Sequence, residues 1–301
     1  MFAGVGALLA ASTVVWLVLS APGGVHAATA RRLQELWELD GRLQIDWRIG
    51  TWSELLQDVQ ALPQLVVTLG TGAYLEGVER AQKAVALQPL PVLAALLPQA
   101  AYPAPAARGS WRNSAVFLDQ PAERIALLLR LALPEHERVG VLFGPESIAA
   151  RPQLARALAA RGLRLVDQTL PEGGHGLYPA LRALLDDADL LLAMPDKLIF
   201  QPDNIHNILL ASYRQRVPVV SYSAAHVRAG ALLSLHTDPA DVARQIAAAL
   251  QRWLNGNGLP APAAAARASV AVNEQVARSL GLSLPPALAL ERALRSREAA
   301  S

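Results

Sequence analysis

Ten short apolar runs, each followed by a helix-like pattern, constrain this chain more than any other feature. Five come first: Val14–Ser20, Leu43–Gly50, Leu65–Thr71, Val92–Pro98 and Ser114–Asp119. Five more follow: Arg138–Gly144, Leu163–Leu170, Asp189–Pro195, Pro218–Ser223 and Ala231–Thr237. Strand-length apolar runs alternating with helices predict parallel sheets covered on both faces, because such strands bury both of their sides. Two sets of five predict two lobes. The expected fold class is α/β, with two doubly wound parallel-sheet lobes and a ligand cleft between them.

The chain is long enough for that plan. Its 301 residues suit two domains of roughly 120–150 residues each. With 52% hydrophobic and 17% charged residues it favours packed cores over disorder. The net charge is +2, lysine occurs only at Lys83 and Lys197, and the arginines are spread along helical segments. No basic face forms, so nucleic acid is not an expected partner. Cysteine is absent. That excludes a disulfide, a thiolate zinc site, a catalytic thiol and an acyl anchor on cysteine within this sequence.

The expected division is an export signal or its remnant at 1–12, lobe one at 13–120 plus 238–260, lobe two at 121–237 plus 261–284, and a loosely held tail at 285–301. Phe2–Leu19 is apolar, and Val25-His26-Ala27 fits a small-x-small cleavage site. Cleavage there would remove the first predicted strand, leaving its neighbours with unpaired edges. A shorter signal within Met1–Ser12 avoids this loss. Both readings predict an exported, periplasmic protein that is not lipid-anchored.

Several catalytic signatures are missing. Gly70-Thr71-Gly72 begins a dinucleotide fingerprint, but the third glycine position holds Leu75. Neither lysine completes a Walker A loop, and no G-x-S-x-G occurs. The six histidines show no H-x-x-x-H pair, so no metal is expected, and they read as surface or loop residues. Asp186-Asp187-Ala188-Asp189 reads as solvated capping where a helix ends and a strand begins. No cofactor is implied.

What remains are small and polar residues at strand carboxyl ends, where open α/β sheets bind ligands. These are Ser20, Thr71 and Asp119 in the first lobe, and Gly144, Asp196 and Tyr222 in the second. Ser20 and Thr71 have hydroxyls for a ligand carboxylate beside helix N-terminal amides, and Tyr222 offers a ring for a flat or apolar part.

The second half resembles the substrate-binding components of ABC transporters, in the group related to tryptophan/tyrosine-type binding proteins with the type I periplasmic-binding fold. The resemblance is carried by Glu137–Phe143, Asp189–Asp196, Arg216–Tyr222, Val227–Leu232, Ala243–Ile246 and Val272–Leu282. In the first half it rests on the strand–helix series and Gly70-Thr71. It implies that two lobes close over a small molecule and present the closed form to a membrane permease. It also implies three chain crossings, near Asp119–Pro121, Ser234–Pro239 and Leu259–Ala268, with helix Ala240–Leu254 returning to the first lobe. The leading expectation is a non-catalytic, monomeric solute receptor for uptake. A periplasmic sensing module coupled to a signalling or receptor partner is the alternative. An enzyme using the cleft, through Asp119 or Asp196, is the third class.

Overall fold

The computed structural model describes residues 13–40, 44–57, 62–83, 90–102 and 112–299, the side chains of 40 and 112 apart. The expected export segment at 1–12 and most of the loop expected over 98–112 lie outside the described residues. The chain divides into two compact units: one runs to Leu118 and resumes at Pro239–Ala264, the other holds Asp119–Asp238 and the chain from Ala265.

The first unit contains β1 (Thr13–Leu19), α1 (Gly24–Asp40), β2 (Ile45–Gly50), α2 (Trp52–Gln57), β3 (Leu65–Leu69), α3 (Thr71–Lys83), β4 (Pro91–Leu97) and β5 (Arg112–Phe117). Its six-stranded sheet has the order β2-β1-β3-β4-β5-β11, all parallel, where β11 is the two-residue strand Ala263–Ala264. β1 is interior, pairing with both β2 and β3. Its run Val15-Trp16-Leu17-Val18 is at most 2% exposed. A β-branched and aromatic segment covered on both faces is stable as a central strand and nowhere else. A chain that started after Ala27 would therefore lose the middle of this sheet.

The second unit follows the same scheme with β6 (Arg138–Phe143), α5 (Arg151–Ala159), β7 (Arg164–Thr169), α6 (Leu177–Asp187), β8 (Leu190–Leu192), α7 (Pro202–Arg214), β9 (Val219–Ser221), α8 (Ala224–Ala229) and β10 (Leu233–His236). Helix α4 (Ala122–Ala132) precedes them. The sheet order is β7-β6-β8-β9-β10-β12, where β12 is Ser269–Val272. Alternate residues feed two cores, with Val139, Val141 and Phe143 on one face and Leu142 and Leu191 on the other. On the second face, a Cβ at Gly140 would lie 2.7 Å from Ala188 Cβ, so glycine lets β6 pack closely against the end of α6.

Helix α9 (Pro239–Arg252) belongs to the first unit. Its buried Val242, Ala243, Ile246, Ala249 and Leu250 form one apolar stripe at helical spacing.

Three expectations need correction. β12 (Ser269–Val272) runs antiparallel to β10, so the second sheet is not wholly parallel. Between β10 and β12 the chain runs through α9 and β11 of the first unit, so no β-α-β crossover within the second unit joins the two strands and nothing imposes the parallel direction. The expected loose tail contains helix α11 (Ala287–Glu298), whose Leu290 and Leu294 are 1% and 2% exposed in the second unit's core. Asp189 is more than solvated capping. It accepts from the Arg138 guanidinium at 2.7 Å and from the Glu137 and Arg138 amides at 3.0 and 2.7 Å. Burial alone would raise its pKa, but these donors outweigh it and hold the carboxyl below its usual range.

Candidate functional site

In both sheets the strand order reverses beside the first strand, between β1 and β3 and between β6 and β8. At such a switch point the loops diverge to opposite faces and leave a crevice at the strand carboxyl ends. Each unit therefore has a marked edge, fixed by topology before any side chain is considered.

In the first unit, Ser20 follows β1 and Gly70-Thr71 follow β3. The Ser20 amide donates to Leu69 O at 3.0 Å, and its Oγ accepts from the Ala73 amide at 2.8 Å. The hydroxyl proton of this exposed serine stays available to an outside acceptor. The half-buried Thr71 opens α3. From below, the buried Trp52 indole donates to Ala73 O at 2.7 Å and meets Trp16 edge-on at 6.3 Å. The first turn of α3 is thus pinned on two sides.

Gly70 explains a residue that sequence reasoning set aside. It has φ +99°, and a Cβ there would lie 2.5 Å from both Ser20 Oγ and His26 Nε2. Only glycine permits this approach. His26 stands in the first turn of α1, half-buried beside Ser20 and Gly70. Burial lowers its pKa, so the imidazole is neutral at pH 7. The sequence signal was faint, a histidine six residues after a strand-end serine.

Beyond the switch point, β4 is irregular. Its register with β5 shifts between Ala95 and Leu97, and Leu96 between them has φ +58°. Tyr102 follows, stacked on Tyr74 at 5.2 Å and edge-on to Phe117 at 5.3 Å. None of these aromatics was foreseen as part of this edge. Asp119, expected at the edge of the first sheet, instead opens the second unit. The reason is its neighbour Gln120, which is hydrogen-bonded to Thr237 and Arg124 of that unit.

In the second unit, Gly144, Asp196 and Tyr222 do converge. Asp196 is 3% exposed, and its Oδ2 accepts from Ser147 Oγ, Ser147 N and Glu146 N at 2.9, 3.0 and 3.0 Å. Its Oδ1 accepts from Leu198 N at 3.1 Å. With those acceptors engaged, the carboxylate ties the loop after β6 to the loop after β8. The exposed Pro145 and Glu146 are what the tie presents outward. Gly144 is required because a Cβ there would lie 2.7 Å from Asp196 Oδ2.

Half-buried Tyr222 packs edge-on to Phe200 at 6.2 Å and to His226 at 5.1 Å. Burial, then the charges of Asp196 and Glu146, push its phenol up to about 12. It remains a neutral donor at physiological pH. His226 Nδ1 lies 2.6 Å from Ser221 Oγ, and burial lowers the imidazole's pKa. Ser221 itself is 2% exposed. Among the described residues no group of three His, Cys, Asp or Glu side chains is placed to hold a metal. No helix among them is long and apolar enough to cross a membrane.

Residues 118–294 match a family model described as ABC transporter substrate binding protein. Among solved structures, the ABC domain from Streptococcus pneumonia in complex with L-Trp is 16% identical with a TM-score of 0.61, covering 93% of this chain and 98% of that one. The ligand-free, open structure of CD0873, a substrate binding protein with adhesive properties from Clostridium difficile, is 16% identical with a TM-score of 0.68, covering 91% and 96%. An ABC transporter solute-binding protein from Conexibacter woesei is 16% identical with a TM-score of 0.57, covering 96% and 95%. No functionally curated protein matches the chain. At these identities the structural likeness establishes the fold alone, two mostly parallel six-stranded sheets with helices packed around them.

Proposed function

The chain belongs to the ABC transporter substrate-binding protein family, and from that premise we propose that it captures a small organic solute outside the cytoplasm and hands it to an ABC permease without altering it. The observation that carries this reading is the pair of topological switch points, each furnished with neutral polar groups. Ser20, Thr71 and His26 stand at one, and Tyr222 stands near the other. Such groups suit a neutral or zwitterionic ligand with an apolar or aromatic part better than a polyanion. On this proposal both units touch the ligand only when closed, so binding favours the closed form and no covalent step is needed.

The relative from Streptococcus pneumonia was solved with L-Trp. A test therefore begins with L-tryptophan and the other L-amino acids, followed by sugars and nucleosides, using isothermal titration calorimetry on the purified chain. At least one solute is expected to bind with a Kd in the micromolar range or below. Ser20→Ala and Thr71→Val are each expected to weaken that binding about tenfold, the usual loss of one hydrogen bond to a charged group. Thr71→Val should leave the melting temperature unchanged, whereas Ser20→Ala should lower it by also unpairing the Ala73 amide. Turnover of the bound solute would overturn the non-catalytic reading. Silence across the whole panel would overturn the proposal itself.

A further inference from the structure

The chain passes between the two units three times, at 118/119, 238/239 and 264/265. The residues flanking these points on the side of the second unit are joined by one hydrogen-bonded cluster. Gln120 Nε2 donates to Thr237 Oγ1 at 2.6 Å. Arg124 Nη1 donates to Gln120 Oε1 at 2.9 Å and to Ala265 O at 3.0 Å. Its Nη2 donates to Ala266 O at 3.4 Å, and its Nε donates to Glu298 in the last turn of α11. The Arg124 side chain is only 10% exposed.

We propose that Arg124 is a positioning residue that clamps the three connections into a single pivot, with α11 holding the clamp in place. The argument rests on the shape of the guanidinium. It carries five donors in a rigid planar fork, so one side chain serves acceptors on separate segments at once, which an ammonium on a flexible stem cannot do. Each connection alone would sample its own backbone angles, and a movement of one need not accompany the others. The partly buried hydrogen bonds among them couple the connections, because breaking one leaves a polar group without a full replacement. Helix α11 is itself anchored, by Leu290 and Leu294 in the core and by Glu291 Oε1, which accepts from Val270 N at 2.9 Å. Its Glu298 offsets the charge of the sheltered guanidinium. The proposal needs no ligand, so it stands or falls apart from the uptake reading.

Amide hydrogen exchange of the whole chain tests it, read in peptides covering residues 117–121, 235–240 and 262–267. In Arg124→Met all three peptides are expected to exchange about tenfold faster, as expected for loss of hydrogen bonds of this class. That includes 235–240, which Arg124 reaches through Gln120. Thr237→Val is expected to speed 235–240 alone, and Arg124→Lys to restore part of the protection. Because the chain has no cysteine, spin labels at Glu38→Cys and Arg161→Cys report on the two units specifically. The distribution of distances between them is expected to broaden in Arg124→Met and to narrow only in part in Arg124→Lys, whose ammonium cannot serve every acceptor at once. Acceleration confined to the 262–267 peptide, or an unchanged distribution, overturns the proposal. If Arg124→Met does not fold, Gln120→Leu decides: it is expected to free 117–121 and 235–240 while sparing 262–267, and any other pattern counts against the clamp.

Discussion

Gly144 and Asp196 show how one missing atom positions the loops at a sheet edge. A Cβ at 144 would lie 2.7, 2.8 and 2.9 Å from Asp196 Oδ2, Oδ1 and Cγ. The carboxylate has little room to retreat, since four donors hold it. Gly144→Ala must therefore strain the backbone or evict Asp196 and strand those donors, and either course costs about 2 kcal/mol. Asp196→Ala should cost about 2–3 kcal/mol by leaving the same donors unpaired. The two changes damage one feature, so their effects are expected not to add. In the Asp196→Ala background the further cost of Gly144→Ala should fall below about 0.5 kcal/mol, measured by urea denaturation as a double-mutant cycle. Fully additive costs would show that the glycine serves something other than the carboxylate. Both positions were legible as strand ends, yet their relation was not. Nothing in the linear sequence says that residue 144 lacks a side chain because residue 196 has one.

Helix ends carry the same lesson one level up. Among the described residues, four helices or helical turns close with the paired backbone bonds of a Schellman motif, in which the residue just past the cap takes positive φ. In three of them that residue is glycine. Gly162, Gly230 and Gly281 donate to Ala159 O, Val227 O and Arg278 O, and the next amide in each case reaches back to Leu158 O, His226 O and Ala277 O. After α7 the place belongs to Arg216, with φ +59°, donating to Tyr213 O while Val217 donates to Ser212 O. A side chain in this conformation costs about 1 kcal/mol, and Arg216 is exposed. Arg216→Gly is therefore expected to stabilise the chain by roughly 0.5–1 kcal/mol in urea denaturation. A loss of stability would mean that Arg216 makes a contact worth more than its strain. At this scale the sequence was readable wherever a local rule held: apolar runs became strands, and Asn273 caps α10 (Glu274–Leu280) by accepting from Val276 N. It was opaque wherever a distant partner decided. The direction of β12 depends on β10, the docking of α11 depends on a core assembled from earlier strands, and His26 is placed by a glycine 44 positions away. The candidate site was accordingly half visible: its edges followed from topology and Tyr222 from its strand end, whereas Tyr74, Tyr102 and His26 were hidden.

For the whole molecule the histidines set the response to acid. Burial lowers the pKa of His26 in the first unit and of His136, His226 and His236 in the second. Around His136 the charges of Asp189 and Glu135 favour the cation, but less than burial opposes it. Around His236 Asp238 and Glu291 favour it, while burial and Arg228 prevail. Above pH 6.5 these imidazoles are neutral whether the chain is folded or not, and their share of stability is fully present. As pH falls below 6.5 the unfolded chain takes up protons that the folded chain resists, so stability declines until the lowered folded values are passed. Three of the four groups lie in the second unit, which should weaken more. Asp189 adds a later phase in the same unit, since its carboxyl is held below 3.8 and its contribution is lost only as pH drops under that value. Scanning calorimetry at pH 7.5 and pH 5 is expected to show the melting temperature falling by several degrees. Hydrogen exchange under the same conditions should place the larger loss of protection in residues 119–238. Replacing His136, His226 and His236 together by glutamine should flatten the response between these two values. An unchanged melting temperature, or a loss centred on the first unit, would show that burial of these imidazoles does not govern the acid response.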